Sequence, residues 1–180
     1  MNNLKELTKE QHKKAEKSKF AKKLVTGNLT ASEYACYLYN MWLVYACLET
    51  KATELGVLES IEDICRTRFI YSDMLSIGSK KELKLKSSID YIEYIKSISS
   101  PKKILAHCYV RHMGDLSGGQ IIAKNLKDKF PVRFYEFEQD VIILKDKFRE
   151  KLDDSMAPEA TIAFGFAADI LQEMDHIDLT

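Results

Sequence analysis

Large apolar residues along this chain recur at intervals of three and four rather than alternating, and the longest such run lies between residues 30 and 55. Tyr34, Tyr37, Leu38, Met41, Trp42, Tyr45, Leu48 and Leu55 fall on one stripe of a helix. Thr30 with Glu33 three residues later is a capping-box start, so the pattern predicts a helix from Thr30 to about Glu54. Residues 59 to 76 and 80 to 98 read as two further helices, the second opened by the pairing of Ser79 with Glu82.

Ser100 followed by Pro101 suits the start of the next helix. It runs through "AHCYVRHM" into "GDLSGG" and on into "QIIAKNLKDK". Phe137, Val141, Leu144, Phe148 and Leu152 mark another amphipathic helix. Pro158 suits the first turn of the last one, where Ile162, Phe166, Ile170 and Met174 are spaced by fours. No stretch alternates between turn dipeptides, so strands are not expected. The three prolines, Pro101, Pro131 and Pro158, fall between periodic segments, where helices break. The expectation is an all-α, bundle-like single domain over residues 1–180 with seven or eight helices.

Composition narrows the class. The 27 basic and 27 acidic residues cancel, which excludes a global field for nucleic acid. Locally, eight lysines stand against three glutamates between Lys5 and Lys23, so the first helix is basic. Cys36, Cys47, Cys65 and Cys108 are far apart with no C-x-x-C pair, which points to reduced thiols rather than a zinc site. There is no apolar leader, no run of about 18 apolar residues, and no anchor at the closing "HIDLT". A soluble, cytoplasmic protein without membrane contact is expected.

The "GDLSGG" stretch, residues 114–119, holds three of the seven glycines where a helix should be strongest, and each costs a helix roughly 1 kcal/mol relative to alanine. If the segment stays helical, Gly114 and Gly118 share a face and leave a bare patch for a second backbone or a large flat ligand. A helix end capped by glycine or close helix packing would also account for them. Helical patterning resumes at once after Gly119, so a kinked helix with exposed backbone fits best.

"YVRHMGDLSGGQ", residues 109–120, resembles the signature of haem oxygenases, whose distal helix kinks over haem at these glycines. "LKELTKEQHKKAE", residues 4–16, is similar to that family's proximal helix, and "FREKL" near 148–152 and "IAFGFAADILQEM" near 162–174 resemble later helices in the expected order. The resemblance covers most of the chain. It implies haem b as substrate and cofactor, dioxygen as co-substrate, and biliverdin (IXα), carbon monoxide and ferrous iron as products. It also implies a soluble electron donor such as ferredoxin and a bilin reductase as consumer of the product.

Residue by residue, the resemblance makes His12 the iron ligand. An iron-bound imidazole needs its second nitrogen held, and Glu16, one turn on, can accept that N–H. Lys5, Lys9, His12 and Glu16 form one stripe beside an apolar stripe of Leu4, Leu7 and Ala15, and the two lysines can neutralise haem propionates. Asp115 is expected to organise the water that protonates oxygen bound at the iron, steering it toward attack on the porphyrin rather than O–O cleavage. Arg111 supports that water network, while Gly114, Ser117 and Gly118 border the haem. Tyr109 resembles a propionate contact, Phe164 an aromatic wall, and Lys145 with Arg149 a second propionate grip. Ala15 belongs with the haem contacts of the proximal helix.

Other residues compete for these roles. His112 stands where the family usually carries tyrosine and points away from the bare face. His107 returns to nearly that face and could border the pocket; His176 reads as a surface residue. A non-enzymatic haem carrier or sensor on the same scaffold, and a cysteine hydrolase of the thiaminase type, are the alternative functions.

Overall fold

The computed structural model describes residues 3–78 and 82–179, and among them there is no strand. Ten α-helical segments form, in chain order: α1 (Leu4–Leu7), α2 (Lys9–Ala15), α3 (Lys19–Thr26), α4 (Ala31–Glu54), α5 (Thr67–Ser76), α6 (Lys86–Ser97), α7 (Pro101–Asp115), α8 (Gly118–Leu126), α9 (Val141–Arg149) and α10 (Ala157–Met174). The all-α expectation holds. The count exceeds eight because two expected helices are each broken once, at Thr8 and at Leu116–Ser117.

The long helix α4 starts as its sequence dictates: the Thr30 side chain accepts from Glu33 N–H at 3.1 Å, and Glu33 accepts from Thr30 N–H at 2.8 Å. Its stripe, from Tyr34 through Leu48, is buried, while Trp42 and Leu55 sit at the margin of the core. Helices α5, α6 and α7 pack around α4, and α10 packs against α2, α3, α6 and α7. Two helices therefore organise the bundle.

Three predicted helices are shorter than their periodicity suggests, each because a distant side chain sets the start. The helix expected over 59–76 begins only at Thr67. The Glu49 carboxylate, from α4, accepts from Arg66 N–H and Thr67 N–H at 2.5 and 3.1 Å. The Arg66 guanidinium donates to the carbonyls of Asp63, Ile64 and Cys65, fixing a 3-10 turn at Glu62–Ile64. The helix expected over 80–98 begins at Lys86, because Asn40 pins Leu83 and Leu85 in extended form and Glu173 caps Lys86 and Ser87. Ser79 lies outside the described residues, and Glu82 is not helical. Phe137 precedes α9 rather than joining it; the Arg66 guanidinium sits 3.9 Å from its ring centroid, and Asp140 caps the helix instead.

The carboxyl end of α10 supplies two caps. Besides Glu173 on α6, Asp175 accepts from Lys19 N–H and Phe20 N–H, at 3.1 and 2.6 Å, at the start of α3.

Candidate functional site

The basic N-terminal segment breaks because Thr8 turns its hydroxyl back onto Leu4 C=O at 2.8 Å, a local bond that competes with helix continuation. Leu4 and Ala15 are buried, but Leu7 is 53% exposed; the break rotates it out of the apolar stripe to which its spacing assigns it. On the stub beyond the break, the His12 ring stands edge-on to Phe164 of α10, centroids 5.7 Å apart. His12 Nδ1 lies 3.6 Å from Glu16 Oε1, both side chains largely exposed; that is ion-pair range but longer than a hydrogen bond.

A cavity of about 80 Å³ opens here, lined by Lys5, Thr8, Lys9, His12, Tyr109 and Phe164. Five of these six are residues that the sequence singles out; Thr8 is not, since a lone threonine in a polar helix carries no signal. Burial pushes the Tyr109 hydroxyl up, while Thr8 and the charge of Arg149 pull it back. Arg149 thus acts on the cavity electrostatically without lining it; its guanidinium lies 2.8 Å from Asp146. Neither Lys145 nor Ala15 lines the cavity, and Ala15 is part of the core.

The glycine motif ends α7 and starts α8. The helix stops at Asp115, Ser117 takes φ −118° and ψ −90°, and a new helix begins at Gly118. A Cβ placed on Gly114 or Gly118 would meet nothing within 4 Å, whereas one on Gly119 would lie 2.7 Å from the Tyr135 ring. The three glycines therefore serve two ends: Gly119 lets α8 close on Tyr135, and Gly114 and Gly118 leave exposed backbone beside exposed Ser117. Gln120 staples the bend, donating to the carbonyls of Asp115 and Tyr135 at 3.0 and 2.9 Å.

Asp115 points inward and is 6% exposed. Its Oδ2 accepts from the Tyr45 hydroxyl at 2.7 Å. Burial pushes its carboxyl up to about 6, against the pull of His112, Arg111 and the Tyr45 bond. Arg111 Nη2 lies 2.9 Å from Met41 Sδ, with the guanidinium 5.4 Å from the Tyr45 ring. Burial acts against its charge, but Tyr45, Tyr37 and Asp115 outweigh it and hold the cation. Arg111 Nε is buried without a hydrogen-bond partner among the described residues, while the Tyr37 hydroxyl interacts with Tyr135 and with Arg111.

Sequence reasoning finds Asp115 and Arg111 but not Tyr45, Tyr37 or Tyr135, which read as core aromatics. Contrary to expectation, His107 does not border the cavity. Its Nδ1 and Nε2 are engaged by Tyr91 and Glu159 at 2.8 and 2.9 Å in a fully buried cluster. His112 is buried away from the bare glycines and meets Glu49 at 3.0 Å, while His176 is exposed. Burial raises all four thiols, Cys36 to about 11 and Cys65 to about 12, so no cysteine is poised as a nucleophile. Among the described residues no cluster of side chains could hold a metal ion, and no helix is long and apolar enough to cross a membrane.

A two-helix frame with a histidine stub on one side and a glycine-broken helix over a buried carboxylate on the other is a haem-degrading architecture. The family model described as "Heme oxygenase" matches residues 1–173, and the chain belongs to that family. A haem oxygenase of Nostoc sp. is 30% identical, the match covering 97% of this chain and 85% of that protein. The solved haem oxygenase of Leptospira interrogans superposes with a TM-score of 0.84 at 29% identity, over 94% of this chain and 97% of that one. Haem oxygenase-1 of Synechocystis, solved in complex with haem, gives 0.83 at 25% identity, over 96% and 90%. As a member of this family, the protein is an enzyme of haem degradation that forms biliverdin.

Proposed function

We propose that this chain binds haem b between α2 and the α7–α8 bend, through His12, and opens it with dioxygen to biliverdin IXα, carbon monoxide and ferrous iron. The observation that carries the reading is the cavity itself. It brings an imidazole, two lysines, a tyrosine and an aromatic wall together from three separate stretches of chain.

The residues fit the group. The His12 imidazole has no hydrogen-bond partner among the described residues, which suits a metal ligand. Gly114 lies five residues beyond Tyr109, about 7.5 Å along α7, within the span of one porphyrin, and its backbone is unobstructed. A cavity of about 80 Å³ is too small for a macrocycle, so binding requires α2 to shift relative to α7 and α10. The break at Thr8 is the natural hinge for that movement.

Bound haem supplies the iron that takes up dioxygen and the porphyrin edge that is oxidised. The chain supplies the rest. With haem bound, Glu16, one turn on and 3.6 Å from His12 Nδ1, would close on that N–H and leave the other nitrogen for the iron. Lys5, Lys9 and Tyr109 receive propionates from one side, and Lys145 and Arg149 from the other, which fixes the edge presented at the bend. Gly114, Ser117 and Gly118 admit the ring to backbone contact, while Ala15 and Phe164 support the His12 helix and keep water from the proximal side. Tyr45 holds Asp115 Oδ2, leaving Oδ1 to pass a proton through water. A carboxyl near 6 is suited to exchange protons close to neutral pH. Arg111 keeps the neighbouring waters oriented.

Exposed lysines around the His12 face, Lys5, Lys9 and Lys13, suit an acidic electron donor, and ferredoxin is the donor we propose, with a bilin reductase taking the product. Four unpaired thiols suit a reducing compartment, the cytoplasm. The deciding experiment adds haem to the purified chain, then ascorbate or reduced ferredoxin. Absorbance should pass from the Soret band to bilin wavelengths; a Soret band that persists would leave a haem carrier in place of the enzyme.

A further inference from the structure

One buried ion pair plays no part in the mechanism above. His112 of α7 is fully buried, with Nδ1 3.2 Å from the carbonyl of Cys108 and Nε2 3.0 Å from Glu49 Oε1. A carbonyl oxygen only accepts, so Nδ1 carries a hydrogen. Burial disfavours the Glu49 carboxylate, but the His112 bond, the Thr67 hydroxyl and the Arg66 N–H outweigh it and hold Glu49 below its ordinary value. Glu49 is therefore ionised at neutral pH and also only accepts, so Nε2 carries a hydrogen too. With both nitrogens protonated, His112 is a cation.

That cation lies against the site. Its ring meets the Tyr45 ring edge-on at 5.2 Å, and the Tyr45 hydroxyl is the group that holds Asp115. Asp115 is three residues further along the same helix. The groups acting on it are Tyr37 and Tyr45 from α4, Arg66 from the turn before α5, Tyr135 from the turn after α8, and Arg111 and His112 from α7 itself. Of these, the tyrosines are neutral and the cations are Arg66, Arg111 and His112, of which His112 is held charged by its two acceptors, the Cys108 carbonyl and the Glu49 carboxylate. The tyrosine that the family usually carries here could also bond Glu49, but would bring no charge.

We propose that His112 and Glu49 are the charge-setting pair of the distal site, positioning residues whose buried cation fixes the ionisation of Asp115 and with it the readiness of that carboxyl to give up a proton. The pair has its own access to solvent. Glu49 and Thr67 line a groove of about 770 Å³, beside Trp42, Phe69 and Tyr71, that shares no residue with the His12 cavity.

The proposal rests on the role assigned to Asp115, and its test is run on the full chain without haem so that the two can fail separately. Nitrogen-15 spectra of histidine-labelled protein at pH 7 should show both His112 ring nitrogens protonated; a ring with one proton overturns the proposal, and this measurement needs no variant. Carbon-13 carboxyl titration, assigned with Asp115→Asn, gives the Asp115 midpoint. His112→Gln keeps a donor for Glu49 but removes the charge, and His112→Tyr installs the usual residue. Each folded variant should move that midpoint upward by about one pH unit, whereas a packing role would lower thermal stability and leave it in place. An unchanged midpoint in folded His112→Gln overturns the proposal. If the midpoint moves and the pH profile of haem turnover does not, the pair stands and the mechanistic role of Asp115 falls.

Discussion

The two sides of the proposed haem site are built on opposite principles. On the α7–α8 side the groups below the bend are held in place: buried Asp115 by Tyr45, Arg111 against Met41, and the bend itself stapled by Gln120. On the α2 side His12, Glu16, Lys5 and Lys9 are largely in solvent, around a cavity of only about 80 Å³. Chemistry that depends on a proton of defined affinity needs a dry, rigid setting, because solvent would erase the shift that makes Asp115 useful. Capture and release of a large flat substrate needs the reverse, a short, mostly solvent-facing helix that can shift against its neighbours. One side is preorganised, and the other is completed by what it binds.

This contrast can be broken most sharply at His12. His12→Ala should abolish turnover while changing stability within about 0.5 kcal/mol, as befits an exposed side chain; imidazole added to the variant should restore part of the activity. Normal turnover in that variant would remove His12 as the ligand. On the buried side, Asp115→Ala should retain haem affinity but lose biliverdin formation by about 10²–10⁴-fold. It should gain peroxidase-like oxidation of added phenols when hydrogen peroxide is the oxidant. Asp115→Asn should fall between, and product analysis reads both.

A third prediction sharpens the contrast without haem. Burial pushes the Asp115 carboxyl up to about 6 in the folded protein from an ordinary 3.8, so the folded state binds this proton more tightly than the unfolded one. Its contribution to stability is present at pH 4 and lost as pH rises through 6. Urea unfolding should show wild-type stability falling relative to Asp115→Asn by up to about 3 kcal/mol between pH 4 and pH 7. A parallel pH dependence of the two proteins would mean that the carboxyl is not buried in solution.

The smallest effects separate the glycines. Gly119→Ala must push the Tyr135 ring and should cost about 1–3 kcal/mol. Gly118→Ala meets open space and should stabilise the haem-free protein by up to about 1 kcal/mol, while weakening haem binding. Thermal melts with and without haem distinguish these outcomes.

Local pattern carried most of the architecture. The three-and-four spacing and the Thr30–Glu33 box locate α4 to the residue, and "GDLSGG" locates the bend. What pattern could not carry were starts set from a distance: Glu49 placing α5, Glu173 placing α6, Arg66 drawing Phe137 away from α9. The same holds for the site. His12, Asp115 and Arg111 are legible because they fall in "LKELTKEQHKKAE" and "YVRHMGDLSGGQ", the two stretches that carry the family resemblance. Tyr45 does not, since a tyrosine on a buried stripe looks the same whether its hydroxyl holds a carboxylate or nothing. Thr8 is silent for the converse reason, as its effect lies in the backbone it interrupts.

The caps at the end of α10 also have a consequence in time. Ribosomes deliver residues in order, so α3 and α6 emerge long before Glu173 and Asp175, whose carboxylates satisfy their first N–H groups. A nascent chain ending short of residue 173 has made most of α10 but leaves the first N–H groups of α3 and α6 without these carboxylates, α3 keeping only its Ser18 cap. Truncations that remove Glu173 should therefore loosen the start of α6, more than 80 residues upstream.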